Sequence, residues 1–272
     1  MGYKTGYEVM EKLIEFSITK TVLPFPKMIL LGLLAGVYIA LGGILMTVVV
    51  SDISFYSGFG ITRLISGSVF SLGLILVILV GAELFTGNNL MVIGLLSRRI
   101  GFIAMLKNWL ISYSTNFAGS LMLVSLIGLS QLWFLNDMEV GFTMVDIANS
   151  KVNLGFWTAF WRGVGCNFLV CLAVWLSVSG EDNISRILGI YFPITAFVAL
   201  GFEHSVANMF LIPMGILAAS QSDVAPVISH LDLSHLNVTD FLVYNLIPVT
   251  LGNTVGGAFL VGYIYWYIYG RR

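Results

Sequence analysis

Two stretches of the chain place a carboxylate, an asparagine and short polar side chains inside long apolar segments. They read Gly81-Ala-Glu-Leu-Phe-Thr-Gly-Asn88 and Gly201-Phe-Glu-His-Ser-Val-Ala-Asn208, lie 120 residues apart, and share the pattern G-x-E-x-x-x-x-N. A carboxylate within a membrane costs about 3 kcal/mol by insertion scales, so Glu83 and Glu203 indicate a purpose. Matched interruptions in two halves of a chain point to a central binding site in a transporter built from repeats.

One side chain in these stretches could exchange a proton. His204 is the single histidine within an apolar segment, whereas His230 and His235 lie in a more polar loop. Imidazole is the side chain whose charge changes most readily near neutral pH. We therefore expect His204 to lie at the centre of the site.

Short polar side chains near this histidine could bind a small anion. A broken helix leaves N–H groups without partners at its N-terminus, and such ends attract anions. The hydroxyl and amide groups beside the two interruptions belong to Thr86, Asn88, Ser205 and Asn208. Together they predict a cradle for one small anion.

Two roles fit Glu83 and Glu203. A carboxylate beside a broken helix can accept its free N–H groups and complement its dipole, and we favour this scaffold role. Cation coordination is the alternative, but it needs more oxygen ligands than two carboxylates from distant halves supply. We expect no bound metal and no cofactor.

The composition of the chain indicates which class of protein holds these groups in place. Of the 272 residues, 58% are hydrophobic and 10% are charged, and the mean hydropathy is +0.94. Soluble domains carry about 25% charged residues, so the chain is predicted to be an integral membrane protein. Its net charge of −1 gives no reason to expect nucleic acid. The motifs of hydrolases, proteases, ATPases and thiol oxidoreductases are absent from the sequence, so we expect no enzyme.

Six apolar stretches are long enough to cross about 30 Å of hydrocarbon. They lie at residues 28–50, 64–96, 108–130, 156–178, 187–219 and 240–269. The second and fifth hold 33 residues each, which as unbroken helices would measure about 50 Å. Both contain a G-x-E-x-x-x-x-N stretch, and we expect each helix to break there. Irregular backbone at that depth must be enclosed by protein or line a water-filled cavity.

Further matches suggest that the chain is duplicated. Gly36 parallels Gly163, and Asn116-x-x-Gly119 parallels Asn253-x-x-Gly256. Because each unit has three spans, the second must enter the membrane from the opposite side. The predicted fold is an all-α membrane protein with six transmembrane helices, arranged as two inverted three-helix repeats (about 28–130 and 156–269) with broken second and fifth helices.

The distribution of lysine and arginine predicts the orientation. Ten of these residues, including Arg271 and Arg272, fall in segments on one side of the six spans and two on the other. The positive-inside rule then places both termini in the cytoplasm. Residues 1–27 are expected to form a cytoplasmic amphipathic helix on the inner face, ahead of a six-span channel domain at 28–272. This helix is also a candidate gate or partner site.

The sequence resembles the formate/nitrite transporter family over nearly its whole length. The resemblance rests on G-A-E-L-F-T-G-N at 81–88, G-F-E-H-S-V-A-N-M at 201–209 and N-L-I-P-V-T-L-G-N-x-x-G-G at 245–257. Within that family it is most similar to the formate channels. The resemblance implies an aquaporin-like fold and a homopentamer in which every protomer has its own pore.

The resemblance also implies roles for individual residues. A hydrophobic constriction matches Phe70, Leu74 and Phe197. Thr86 matches a loop threonine and His204 the central histidine. The matches to pore-facing asparagines and to an electropositive residue of the outer vestibule are Asn167, Asn253 and Lys151.

These observations predict a channel of the plasma (inner) membrane for small monovalent anions of weak acids, with formate favoured. Nitrite and hydrosulfide are alternatives within the family. The anion is expected to share a proton near His204 and to cross the constriction as the neutral acid. Two other classes stay open: a neutral-solute pore of the aquaporin type, and a non-transporting scaffold that docks partners through residues 1–20.

Overall fold

Ten helices carry the fold in the computed structural model, which describes residues 3–270. Arg271 and Arg272, used in the prediction of orientation, lie outside the described residues. The helices are α1 Gly6–Thr21, α2 Phe25–Tyr56, α3 Phe59–Gly81, α4 Phe85–Leu96, α5 Phe102–Ser130, α6 Glu139–Val152, α7 Phe156–Ser179, α8 Asn183–Ala199, α9 Ser205–Ala219 and α10 Val238–Tyr269. A single turn, Ala225–Ile228, precedes α10.

The described residues are all-helical apart from one isolated bridge between Tyr3 and Gly180. Helices α2, α3, α5, α7 and α10 are long and apolar enough to cross a membrane, and α4, α8 and α9 are shorter apolar helices. The all-helical part of the prediction is therefore confirmed for the described residues.

The second and fifth predicted spans are each divided into two helices. Helix α3 ends at Gly81 and α4 begins at Phe85, while α8 ends at Ala199 and α9 begins at Ser205. Gly81 and Gly201 have φ values of +89° and +74°. This left-handed conformation strains side-chain-bearing residues, so a glycine turns the chain at each interruption.

Close approach of backbones holds α2 against α5 and α7 against α10. A Cβ atom at Gly119 would collide with the carbonyl oxygen of Leu33, and one at Gly256 with that of Val164. Packing between small residues is the usual way for membrane helices to associate.

The structure corrects one pairing between the halves. The amide of Asn116 donates to the carbonyl of Gly32 at 2.9 Å, and that of Asn253 donates to the carbonyl of Gly163 at 2.8 Å. Gly163 therefore corresponds to Gly32, and the pairing with Gly36 is wrong. Gly32 and Gly36 are one helical turn apart on the same face, so spacing alone could not separate them.

Helix α1 packs on α4, α7 and α10. A capping box starts it, because Thr5 caps the first turn and Glu8 reaches back to the Thr5 backbone. Its apolar face is buried against the bundle through Val9, Met10, Leu13 and Ile14.

Candidate functional site

Each interruption is built around a buried carboxylate with a lysine partner. Glu83 is 5% exposed and accepts hydrogen bonds from Lys20 Nζ at 2.5 Å and Asn88 Nδ2 at 2.8 Å. Asn88 Nδ2 also donates to Asn108 Oδ1 at 2.8 Å. A buried carboxylate without a partner is strongly destabilising, so this network makes Glu83 tolerable at its depth.

The second interruption repeats the arrangement. Glu203 is 4% exposed and accepts from Lys151 Nζ at 2.8 Å and from Asn208 Nδ2 at 2.7 Å. Asn208 Nδ2 donates in turn to Asn245 Oδ1 at 2.7 Å. Sequence reasoning missed the roles of Lys20, Asn108 and Asn245. Asn108 lies eight residues before Asn116, and Asn245 eight before Asn253, so this repeated spacing could have revealed both asparagines.

Two asparagines satisfy the free N–H groups at the starts of α4 and α9. Asn116 Oδ1 accepts from the Phe85 N–H, and Asn253 Oδ1 accepts from the Ser205 N–H, each at 2.9 Å. The carboxylates were expected to take these donors. Instead Glu83 and Glu203 pair with lysines, because a buried charge gains more from an opposite charge than from a neutral amide.

His204 and Thr86 join the two interruptions. Thr86 Oγ1 lies 2.9 Å from His204 Nε2. His204 Nδ1 accepts from the Ala207 N–H at 3.1 Å and so caps α9. Because Nδ1 accepts, the proton of the neutral ring is on Nε2 and is donated to Thr86 Oγ1. The Thr86 hydroxyl hydrogen then has no acceptor within residues 3–270, and it is free to donate to a bound molecule.

The predicted constriction residues cluster beside this pair. Phe70, Leu74 and Phe197 are all buried. The rings of Phe70 and Phe197 meet edge to face with centroids 5.7 Å apart, and the Phe197 ring centre lies 6.0 Å from that of His204. The three residues, predicted from two distant parts of the sequence, form part of one apolar core.

A cavity lies on each side of this cluster. The α6 cavity has a volume of about 370 Å³, and its lining includes Phe70, Phe197, His204, Lys151 and Asn208. The α1 cavity has a volume of about 520 Å³, and its lining includes Leu74, Gly87, Asn88, Glu83 and Lys20. Thr86 is fully buried between them, since His204 lines one cavity and Gly87 the other.

The four residues of the predicted anion cradle are not brought together. Asn88 lines the α1 cavity and Asn208 the α6 cavity, because each amide is bound to the carboxylate five residues before it. Ser205 is fully buried and lines neither of these two cavities within the described residues. Thr86 also lines neither cavity, but in the described part of the chain it alone of the four is hydrogen-bonded to the His204 side chain.

Asn167 and Asn253 connect helix ends. Asn167 Nδ2 lies within hydrogen-bond distance of the carbonyl oxygens of Thr86 and Asn253, at 3.2 and 2.7 Å, and of Asn89 Oδ1 at 2.8 Å. Asn253 Nδ2 is shared between the carbonyls of Gly163 and Glu203. Neither asparagine lines the α1 or the α6 cavity among the residues described.

The chain matches one protein family along nearly all of its length. Residues 7–267 fit the profile of the formate/nitrite transporter family. The chain belongs to this family. A transporter rather than an enzyme was expected, and membership confirms it. The family and the apolar helices together make the chain an integral membrane protein.

Two relatives of this family member carry formate in their names. It is 42% identical over 262 residues to the probable formate transporter of Methanothermobacter thermautotrophicus, covering 90% of each chain. It is 43% identical over 218 residues to the formate channel FocA of Escherichia coli strain K12, covering 79% of this chain and 76% of the relative.

A solved structure described as a pentameric formate channel with formate bound has the same fold. The TM-score is 0.81 at 35% identity, and the match covers 90% of this chain and 97% of the other. An ion channel of the same family matches with a TM-score of 0.82 at 26% identity, covering 96% and 98%.

Proposed function

We propose that this family member is a channel for small monovalent anions of weak acids, with formate as its main substrate. The observation that carries the proposal is the Thr86–His204 pair, buried between two cavities beside the Phe70–Phe197 contact. The names of the relatives and the formate-bound pentamer support formate as the substrate.

The anion crosses the apolar contact as the neutral acid. A bare anion between Phe70, Leu74 and Phe197 would pay a desolvation cost of tens of kcal/mol in the idealised low-dielectric limit. Protonating a carboxylate whose pKa is near 4 costs only about 4 kcal/mol at pH 7. Formate therefore enters from a cavity, accepts a hydrogen bond from the Thr86 hydroxyl, and takes up a proton supplied by the bulk solution, so that its O–H bond forms as a hydronium O–H bond breaks.

His204 assists this proton sharing through Thr86. Its Nε2–H donates to Thr86 Oγ1, which polarises the hydroxyl and strengthens the bond that Thr86 donates to the anion. His204→Phe should lower formate uptake into liposomes at every pH, because Thr86 loses the donor that polarises its hydroxyl. His235→Phe is the control, because His235 is exposed and pairs with Asp240 away from both cavities. Uptake through His204→Phe equal to that of wild type would contradict this role.

Competition between anions tests the substrate. Flux of formate, nitrite and hydrosulfide is measured through purified protein in liposomes at two pH values. The proposal predicts that formate is carried fastest at both. Faster nitrite or hydrosulfide flux would favour another substrate of the family, and absence of formate-dependent acidification of the liposome interior would favour a neutral-solute pore. A non-transporting scaffold would lose partner binding on deletion of residues 1–20 and would keep partner binding on substitution of Thr86.

The architecture proposed for this channel is two inverted repeats, aquaporin-like, within a homopentamer. The matching networks of Glu83 and Glu203 support the repeats, and the pentameric relative supports the assembly. Native mass spectrometry tests the assembly, and a monomer or dimer would contradict it.

Both termini are proposed to be cytoplasmic in the inner membrane. Labelling of a cysteine introduced at Lys4 from only the periplasmic side would contradict that orientation.

Residues 1–27 are proposed to form a cytoplasmic element distinct from the channel domain at 28–272. Helix α1 borders the α1 cavity through Lys12, Leu13 and Lys20. This position supports a role as a gate or as a site for a cytoplasmic partner. Deletion of residues 1–15, which retains the Lys20 partner of Glu83, should change flux without abolishing insertion, and unchanged flux would contradict a gating role.

A further inference from the structure

Arg162 is a charged residue of the membrane-spanning helix α7 that the proposed pathway leaves unused. Arginine within a span is rare and almost always faces a cavity or a partner. The side chain of Arg162 is exposed and lines the α6 cavity. Within the described part of the chain, no hydrogen bond or ion pair engages its guanidinium group.

The other two cations of this cavity are already engaged. Lys151 is paired with Glu203 at 2.8 Å. Arg63 donates to the carbonyls of Val198 and Ala199 at 2.5 and 3.1 Å, so it holds the end of α8. Two further carboxylates, Glu139 and Asp146, line the cavity, and neither forms an ion pair with Arg162 among the described residues. Arg162 is the cation that is left to bind an anion.

The backbone fixes Arg162 beside the site. Its carbonyl oxygen accepts a hydrogen bond from the N–H of Glu203 at 3.2 Å, and His204 is the next residue. Arg162 therefore lies on α7 directly against the second interruption, and its side chain lines the same cavity as His204.

We propose that Arg162 is a specificity-determining residue, which binds planar anions with two oxygen atoms before they reach Thr86 and His204. A guanidinium group presents parallel N–H donors that match the two oxygens of a carboxylate, and nitrite has the same bent arrangement. Hydrosulfide has one heavy atom, so it lacks the second acceptor that would complete two parallel hydrogen bonds. Arg162 thus favours formate and nitrite over hydrosulfide. This inference rests on the proposed function and names the recognition step of the same pathway.

The competing explanation is contact with lipid. Trp157 and Trp161 lie on the same helix and are 67% and 63% exposed, as is typical of aromatic residues at a membrane interface. An arginine at that level can extend its charge to lipid phosphates. In that case Arg162 would affect insertion and stability without selecting among anions.

The test measures half-saturation concentrations for formate, nitrite and hydrosulfide in liposomes for wild type, Arg162→Lys and Arg162→Gln. Lys27→Gln is the control, because it removes an exposed positive charge that lines neither cavity. We expect both Arg162 variants to raise the value for formate and nitrite about tenfold, from the loss of one charge-assisted hydrogen bond. The value for hydrosulfide should change less than about twofold.

Retained hydrosulfide flux shows that a variant is folded. If Arg162→Gln does not assemble, Arg162→Lys alone tests whether Arg162 selects among the anions. Arg162→Gln could raise the half-saturation concentrations of all three anions equally, with Arg162→Lys returning them to the wild-type values. That result would reduce the role of Arg162 to general attraction of anions and would overturn the proposal. Unchanged values for all three would assign Arg162 to lipid and overturn it as well. If wild type carries no formate, the proposed function fails. The half-saturation concentrations for nitrite and hydrosulfide still test the role of Arg162 in that case.

Discussion

The chemistry of the site depends on how the two nitrogens of one imidazole are used. Nδ1 of His204 accepts the Ala207 N–H, and Nε2 faces Thr86. A second proton on the ring would have to be placed on Nδ1 and would break the cap of α9. In the proposed function the ring therefore acts in its neutral form, as a donor that polarises Thr86.

Removal of the Thr86 hydroxyl tests this role. Thr86→Val keeps the shape of the side chain and deletes the bond to the anion. Because a hydrogen bond to a charged group is worth about 1.5–3 kcal/mol, formate flux should fall by roughly 10- to 100-fold.

Thr47→Val is the matched control. The Thr47 hydroxyl is buried and donates to the Gly43 carbonyl of its own helix at 2.9 Å, and the residue lines neither cavity. Equal losses of flux in both threonine variants would remove the special role of Thr86.

The buried Asn253 side chain is bonded to backbone groups of three other residues. The resemblance implies that it faces the pore, whereas the structure places its amide among backbone groups of Gly163, Glu203 and Ser205. Asn253→Ala would leave these buried groups without partners, at a cost of about 3 kcal/mol or more. Thermal unfolding of the purified protein should show a clearly lower midpoint.

Asn153→Ala gives the comparison, because the Asn153 amide is exposed and bonds only to Asn149 among the described residues. Its midpoint should stay close to that of wild type. A stable Asn253→Ala protein with reduced flux would support the pore-facing role instead.

At the scale of the elements, span length and glycine positions predicted where the helices break, but they did not predict the contacts that stabilise the breaks. Spans of 33 residues are too long for the membrane, and Gly81 and Gly201 supply the positive φ that ends a helix. Both facts are visible in the sequence. The pairing of Lys20 with Glu83 joins residues 63 positions apart. Such contacts depend on how α1 packs on the bundle, which no local pattern specifies.

Helix α1 provides a prediction on pH. The Thr5 backbone N–H, followed by its hydroxyl, holds the pKa of the Glu8 carboxyl below its ordinary value. A lowered pKa in the folded state stabilises the protein above the ordinary pKa, and this contribution is lost as the pH falls through the lowered value. Hydrogen exchange of the α1 amides should therefore be slower in wild type than in Glu8→Gln at pH 6.

This difference should disappear once the pH falls below the lowered pKa of Glu8. Glu11→Gln, which changes a glutamate outside the capping box of the same helix, should leave the exchange of the first turn unchanged. A difference between wild type and Glu8→Gln that persists in acid would show that the capping box is not its cause.

At the scale of the whole molecule, the two cavities differ in charge. The α1 cavity is lined by Lys4, Lys12, Lys20 and Arg186 against Glu83. The α6 cavity is lined by three basic and three acidic residues. Apolar side chains separate the two cavities, since Leu74 lines the α1 cavity while Phe70 and Phe197 line the α6 cavity. Under the proposed function, an anion attracted to either side gives up its charge to pass between them.

The most direct measurement determines whether formate carries charge through the protein. Purified channel in liposomes is given a formate gradient under imposed membrane potentials, while internal pH is recorded and protein-free liposomes are subtracted. If formate crosses as the neutral acid, one proton enters with each formate and the rate does not depend on the potential. Formate entry that follows the potential and leaves the internal pH unchanged would contradict it.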